Sequence, residues 1–571
     1  MMEAFAAKYR GRVAGLDAGQ LAQALDEYCE MSEASVRPQW YAGLKSSLNS
    51  ADQATRDLTT EVDTKITDAS SQMLFFGLEW EALPADRAAR ISSAPELSPY
   101  RHYLEELTAN ARYSLSEAEE KVAMQYSRLT DKWQGTNERT LGRFSRRVDT
   151  GDGLQKRGLE ELLAMRLSPK ANERRIALDA TMWELAKQAH TLADCYDAVI
   201  TGRLVSDKLR GIDSPMQPAN LSNELADGVV DVTIQAIVDN YPLGQRWFRI
   251  KAKLLGVEKL SMYDQYAPLG QTGPCTFAQA KSIVLDAVRD FSPEAADIMA
   301  AFFEEGRIDA LPRPGKRGGA FCSSASQYID PFVLLNFTDT QKDALTLGHE
   351  LGHGLHGVLA GRAQTAVTAD TGMAMAEIAS TFCEMLVFDS LLNRPGITEQ
   401  ERLALVSARV EDSTATIFRQ VMMQQYESRA YARVADNKTL SREFLNQIWL
   451  EENQRQYGDS MEIPNSYKWG WTYVSHFINT RFYTYSYSFA HLVSLKLYAD
   501  YRQAKADGTA AEFTAKYLDL LRSGGSKSPQ EALAAVGIDI TDPDWVEGGF
   551  AEFERILDTA EAITAGETKA A

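Results

Sequence analysis

The sequence predicts a mainly α-helical protein, and three observations support this fold class. Most of the 571 residues show apolar positions at helical spacing among Ala, Leu, Glu, Lys and Arg, as in residues 158–167 and 401–434. Strand patterns are rare, and the clearest is the apolar and aromatic stretch 332–338. The chain is also long for a single hydrophobic core, so we expect several domains or one large helical body with lobes.

The predicted helices fall into an N-terminal region, residues 1–170, and a C-terminal region, residues 171–560. Segments 168–175 and 211–224 contain the Pro, Gly and Asn residues that interrupt helices. Residues 561–571 are expected to form a disordered tail.

A late helix has a clear predicted start. Ser528 and Glu531 have the spacing of a capping box, and Pro529 occupies the first helical position. We therefore expect a helix that begins there and ends near Gly537.

Charge and composition exclude several classes of function. The formal net charge of -19 and the pI near 5.0 disfavour nucleic acid as a partner. No run approaches the roughly 18 apolar residues of a membrane-spanning helix, and the N-terminus is charged where a secretory signal is apolar. Five scattered cysteines without a CxxC pair argue against disulfides and thiolate metal sites. These features predict a cytoplasmic protein.

Residues 346–356 contain three of the seven histidines and a glutamate. On a helix, His349 and His353 are one turn apart, about 5–6 Å between Cβ atoms, so both can reach one metal ion. Glu350 lies where a carboxylate can take a proton from water at the metal without binding the metal itself. His356 lies about 10 Å further along the axis than His349. We expect it to pack or to support the site rather than to bind the metal.

A third metal ligand is predicted on the next helix. Residues 372–392 are apolar enough to be buried, yet Glu377, Ser380, Thr381 and Glu384 form a polar stripe along them. One carboxylate can bind the ion, and the other can accept the outer N–H of a ligand histidine. The spacing leaves both assignments open.

Several segments together resemble the M3 family of zinc metallopeptidases. This group includes thimet oligopeptidase and oligoendopeptidase F, and the resemblance is greatest to the oligoendopeptidase F branch. The segments are 316–324, 331–356, 375–387 and 476–490. The resemblance implies a mainly helical, two-lobed, zincin-type peptidase that encloses a deep channel, with a small β-sheet near the active site.

The resemblance also implies roles for individual residues. His349, His353 and Glu377 would bind one Zn²⁺ per chain, Glu350 would be the general base, and Glu384 would support a ligand histidine.

A later segment, 475–489, offers groups that could stabilise a developing oxyanion. It holds His476, Tyr483, Tyr485 and Tyr487, and buried tyrosines need a partner for the hydroxyl. The resemblance implies that a histidine and tyrosines of this segment face the bound peptide. We predict His476 together with Tyr483 or Tyr485, although helical packing would also explain several of these rings.

The predicted function is a zinc-dependent endopeptidase, an oligopeptidase that hydrolyses internal bonds of short unstructured peptides. If residues 331–337 form the rim of the small sheet, an extended peptide can add to that edge through main-chain hydrogen bonds.

Two alternatives remain. A helical zinc carboxypeptidase or dipeptidyl carboxypeptidase would need a receptor for a free C-terminal carboxylate, for which Arg481 is a candidate. A non-catalytic peptide-binding protein would have no use for the complete set of His349, Glu350, His353 and Glu377.

Overall fold

The computed structural model describes residues 1–49, 52–151 and 153–566, and most of them are helical, as predicted. The α-helices are α1 (Met2–Tyr9), α2 (Ala18–Leu48), α3 (Gln53–Ser70), α4 (Leu74–Glu81), α5 (Ala85–Ser92), α6 (Arg101–Asn110), α7 (Glu117–Gly142), α8 (Leu159–Met165), α9 (Ala171–Arg210), α10 (Gln217–Ser222), α11 (Asp227–Asp239), α12 (Tyr241–Leu254), α13 (Phe277–Phe291), α14 (Pro293–Glu304), α15 (Gln341–Ala363), α16 (Met373–Leu392), α17 (Glu399–Thr414), α18 (Gln420–Ala435), α19 (Arg442–Tyr457), α20 (Ser475–Asn479), α21 (Thr484–Asp507), α22 (Ala510–Arg522), α23 (Pro529–Ala534) and α24 (Trp545–Thr564). None of the helices in these ranges is long and apolar enough to cross a membrane.

Helices are present at two positions where the sequence predicts them. The capping box of Ser528 and Glu531 is present, and α23 begins at Pro529. Stretch 401–434 forms α17 and α18, which are joined by a π-helical turn, Ala415–Arg419. Helix α24 extends into the predicted tail, 561–571, of which residues 567–571 lie outside the described residues.

The strands are short and form three small sheets. They are β1 (Arg146–Asp149), β2 (Leu154–Arg157), β3 (Leu260–Ser261), β4 (Ile308–Asp309), β5 (Phe321–Ser323), β6 (Phe332–Leu334) and β7 (Met461–Glu462). Strands β1 and β2 form an antiparallel hairpin, and β3 pairs with β7 in parallel. The third sheet has the order β4-β6-β5.

The strand predicted at 332–338 differs from the observed one in length and position. Strand β6 covers only Phe332–Leu334, and it is the central strand of its sheet rather than the rim. It pairs with β4 in parallel and with β5 antiparallel, so that Val333 lies opposite Cys322. Because β4 and β5 flank β6, both of them are edge strands, and β5 is the edge strand that contacts α15.

Two hydrophobic cores organise the helices. A small core contains buried side chains from the first 104 residues, among them Leu25, Phe76 and Leu104. The larger core begins at Phe144 and extends to Ala560. The division of the chain at residue 170 stays a prediction.

Candidate metal centre

Helix α15 carries the histidine motif and is fixed at its start by a capping box. The Thr340 hydroxyl accepts a hydrogen bond from the Asp343 N–H, and the Asp343 carboxylate accepts one from the Thr340 N–H. One helical turn separates His349 from His353, and their ring centroids lie 4.9 Å apart. The predicted pairing of the two imidazoles on one helical face is thus present.

Two glycines within the motif allow α15 to approach α16 closely. A Cβ atom at Gly352 would lie 2.6 Å from the backbone oxygen of Ala379 and 2.6 Å from Cα of Ser380. A Cβ atom at Gly348 would lie 2.8 Å from a methyl group of Val387. Because no side chain separates the helices here, the carboxylates of α16 can reach the histidines of α15.

Three ligand atoms meet between these helices. Oε2 of Glu377 lies 3.4 Å from Nε2 of His349 and 3.4 Å from Nε2 of His353. All three atoms lie within 4.8 Å of one another. A tetrahedral zinc ion with ligand distances of about 2.0–2.1 Å separates its ligand atoms by about 3.3–3.4 Å. Two imidazoles and one carboxylate at these separations fit such an ion.

The second carboxylate of α16 lies on the far side of His349. Oε2 of Glu384 is 3.3 Å from Nδ1 of His349, and its Oε1 accepts a 2.8 Å hydrogen bond from Arg409. Geometry therefore separates the two carboxylates, with Glu377 at the ligand cluster and Glu384 behind it. Sequence reasoning missed Arg409, whose only signal was an arginine among the apolar positions of α17.

The charges around the ligands favour a bound cation. Burial alone would lower the pKa of His349, but Glu384 and the charges of Glu377 and Glu350 raise it to about 9. Burial opposes ionisation of Glu377, yet His353, His349 and Ser380 lower its pKa to about 2. Three carboxylates thus surround two imidazoles, and a divalent ion would balance their charge.

Glu350 and His356 line the same cavity beside the cluster. Burial raises the pKa of the Glu350 carboxyl, while the two neighbouring histidines partly oppose this shift. A raised pKa suits a group that must accept and return a proton. His356 lies outside the ligand cluster, and burial lowers its pKa to about 4, so it is a neutral packed imidazole.

The cavity has a volume of about 730 Å³, and elements of both the small core and the larger core line it. Strand β5, α15 and α16 line one side, and α2 of the small core contributes Ser32, Glu33 and Val36. Trp40 of α2 donates a 2.6 Å hydrogen bond to Ser323 of β5. The contribution of α2 was not predicted, because it depends on long-range packing.

No lysine or arginine is among the described residues that line this cavity. Arg481, the predicted candidate receptor for a C-terminal carboxylate, forms two hydrogen bonds with Asp207, of 2.7 and 2.8 Å. Its guanidinium group is therefore already paired.

The predicted oxyanion-stabilising residues separate into two environments. The ring centroid of His476 lies 5.5 Å from that of Tyr483 and 5.8 Å from that of Tyr487. Burial raises the pKa of Tyr483 and of Tyr487, and the charge of Glu377 adds to both shifts. The three rings therefore lie together, and the charge of Glu377 reaches both tyrosines.

Tyr485 is buried elsewhere. Its hydroxyl donates to Asn220 and accepts from Asn223, both at 2.9 Å. Tyr487 takes its place beside Tyr483, which the i, i+4 spacing of a helix could have indicated.

Comparison with known proteins agrees with this geometry. A family profile described as peptidase family M3 matches residues 164–552, and a second one, described as oligopeptidase F, matches residues 79–137. Oligopeptidase PepF of Bacillus subtilis (strain 168) is 25% identical over 566 residues, which cover 97% of this chain and 82% of that protein.

Two further relatives extend the comparison. An oligoendopeptidase F homolog of Lactococcus lactis subsp. lactis is 27% identical over 477 residues, which cover 82% of this chain and 77% of that protein. The crystal structure of oligoendopeptidase-F from Enterococcus faecium superposes with a TM-score of 0.75 at 20% identity, covering 98% of this chain and 96% of that one. That structure supports the fold.

Proposed function

The chain belongs to peptidase family M3, and on this premise we propose that it is a zinc-dependent endopeptidase that cleaves internal bonds of short peptides. The single observation that carries the proposal is the cluster of His349, His353 and Glu377, whose ligand atoms are spaced for one tetrahedral ion. When bound, the ion would supply a Lewis acid that polarises the scissile carbonyl and makes water more acidic.

Glu350 is the proposed general base. It lies on α15 directly after a ligand histidine, lines the cavity and is 6% exposed. Its carboxylate would take the proton of the attacking water and then deliver it to the leaving amine. The raised pKa of this carboxyl favours the protonated form that the second step requires.

His476 and Tyr483 are the proposed donors to the developing oxyanion. Donors that already point to the position of a transition-state charge stabilise it without reorganising during the reaction. Their rings are stacked and half-buried, and the charge of Glu377 contributes to the raised pKa of Tyr483. Tyr485 is less suited to this role because its hydroxyl is engaged by Asn220 and Asn223.

The proposed substrates are extended peptides that bind along β5. Among the described strands, β5 is at an edge of its sheet, and residues 320–322 line the cavity, so a peptide can add to it by main-chain hydrogen bonds. Such binding depends little on side chains. An endopeptidase is favoured over a carboxypeptidase, because none of the described residues that line the cavity is an arginine or lysine that could bind a terminal carboxylate.

The proposal is tested with a peptide of about ten residues blocked at both ends. We expect internal cleavage that stops when a chelator removes the metal and returns with Zn²⁺, as read from product masses. Glu350→Gln is the matched control, because it should retain the metal and lose turnover by a factor on the order of 10² to 10⁴. Release of dipeptides or single residues from an unblocked C-terminus alone would favour a carboxypeptidase. Metal binding without any cleavage would favour a peptide-binding protein.

A further inference from the structure

The segment that carries His476 and Tyr483 has an unusual backbone. Residues 475–487, here called the aromatic arm, comprise α20, a short turn and the first turn of α21. In the turn, Phe482 has a φ of +49°, a left-handed conformation that a bulky side chain rarely adopts. Such a conformation persists only where the surrounding structure enforces it.

Glu427 of α18 provides one part of that support. Its Oε2 accepts a 3.0 Å hydrogen bond from the backbone N–H of Phe482. The Phe482 ring is buried and packs against Tyr431, with centroids 4.9 Å apart. Both the backbone and the side chain of the strained residue are therefore held by α18.

The environment of Glu427 is unusual for a carboxylate. It is fully buried, and its Oε1 accepts no hydrogen bond from any described residue. Burial raises its pKa to about 8, although the charges of Arg203 and Arg481 oppose the shift. A buried polar atom without a partner is costly. The hydrogen bond from Phe482 is the specific contact that the other oxygen makes.

Helix α9 holds the rest of the arm. Arg203 donates to the carbonyl oxygens of Phe477 (3.2 Å) and Ile478 (2.6 Å), which follow His476 directly. One helical turn later, Asp207 pairs with Arg481, the residue before Phe482. The backbone is therefore anchored on both sides of the turn.

We propose that Glu427 is a positioning residue which, together with Arg203, holds the aromatic arm in the strained conformation that directs His476 and Tyr483 to the substrate. The inference rests on the proposed function for its catalytic consequence, but the ordering of the arm can be measured without activity. Because a displacement of about 1 Å can cost on the order of 10² in rate, loss of this anchor should lower kcat strongly.

Glu427→Leu tests the proposal in the full-length, metal-loaded protein. We expect kcat for the blocked peptide to fall by about 10- to 100-fold, with KM and metal content changed less than twofold. Amide hydrogen exchange in residues 475–483 should become faster. Glu427→Gln keeps an oxygen that can accept from Phe482, so it should restore most of the activity and protection.

The matched control is Glu452→Leu. Glu452 is also a buried carboxylate with one oxygen that accepts no hydrogen bond from a described residue, and it pairs with Arg429 at 2.8 Å and with Arg455 at 4.0 Å. Among the described residues, no hydrogen bond joins it to the arm. The Glu452→Leu variant should have a lower free energy of unfolding, but its kcat and the hydrogen exchange of its aromatic arm should match those of the wild type. Unchanged exchange and kcat in Glu427→Leu, or equal effects of the control, would overturn the proposal.

A second variant covers the case in which Glu427→Leu does not fold. Arg203→Met leaves Glu427 in place but removes the donor to the carbonyl oxygens of Phe477 and Ile478, so faster exchange in the arm and lower kcat are expected. Wild-type exchange and activity in this variant would contradict the proposal. If the wild type itself fails to cleave the blocked peptide, the proposed function fails, whereas the exchange measurements still decide whether Glu427 orders the arm.

Discussion

Oε2 of Glu384 lies 3.3 Å from Nδ1 of His349, on the side of the ring opposite the ligand cluster. An acceptor at Nδ1 keeps the proton there and leaves Nε2 free to bind a metal. Arg409 in turn donates to the other oxygen of Glu384 at 2.8 Å. The orientation of the ligand is thus set by a chain of contacts that reaches into α17.

Glu384→Gln should weaken metal binding by about 10- to 100-fold while the fold is retained, because the amide can no longer supply a charged acceptor. Competition with a chromophoric chelator measures the affinity. Glu411→Gln is the control, since Glu411 lies on the same helix as Arg409 but pairs with Lys251. Equal affinities for the wild type and Glu384→Gln would show that Glu384 does not support the ligand.

Gly352→Ala should separate α15 from α16, because its new Cβ would lie 2.6 Å from the Ala379 backbone, which cannot yield as a side chain could. We expect a loss of about 1–3 kcal/mol in the free energy of unfolding together with weaker metal binding. Denaturant titration and the chelator assay measure these effects. Gly361→Ala on the same helix is the control, as its Cβ would meet Gln327 at an ordinary 3.6 Å. Similar losses in both variants would rule out close helix contact as the cause.

The contact between α6 and the loop before α11 should make stability depend on pH. His102 hydrogen-bonds Glu224 at 2.6 Å, which raises its pKa, with smaller contributions from Glu106 and Glu531. Burial, and then the charge of Glu224, raises the pKa of Glu106 to about 7. Both groups bind protons more tightly in the folded chain than in the unfolded one, where Glu titrates near 4.3 and His near 6.5.

Their contribution to folding is therefore complete at low pH and is lost as the pH rises through these folded pKa values. Glu106→Gln should raise the melting temperature at pH 8, where Glu106 is ionised beside Glu224, and change it little at pH 5. Glu105→Gln, at an exposed position of the same helix, should show no such difference. A pH-independent effect of Glu106→Gln would refute the assignment.

Substrate charge should influence cleavage. Among the described residues that line the cavity, histidines aside, every charged side chain is acidic. These residues are Glu33, Glu350, Asp370 and Glu377. Peptides that carry Lys should therefore have higher kcat/KM than the same peptides with Glu, by about tenfold for 1.4 kcal/mol of interaction. The preference should weaken at high salt.

Glu33→Gln and Asp370→Asn should each reduce this preference, measured as the ratio of kcat/KM for the paired peptides. Glu30→Gln, an exposed change on α2 outside the cavity, should leave the ratio unchanged. Equal rates for Lys and Glu peptides in the wild type would show that the acidic lining does not select substrates.

Sequence alone determined much of this protein, because the decisive patterns are local. Helical periodicity predicted the mainly α fold, and the spacing of His349, Glu350 and His353 follows from the geometry of one helix. The polar stripe on α16 was equally visible, since carboxylates on an apolar helix need partners. The resemblance to family M3 then assigned Glu377 to the metal and Glu384 to a supporting role.

Tertiary structure decided what depends on contacts between distant segments. Local pattern made 332–338 a strand but could not show that β6 is central and that β5 is an edge strand, because strand order depends on long-range pairing. Likewise, the hydrogen bonds of Tyr485 with Asn220 and Asn223 join segments that lie far apart in the sequence. The anchoring of Phe482 by Glu427 joins residues 55 positions apart, and its strained backbone has no signature in composition or periodicity.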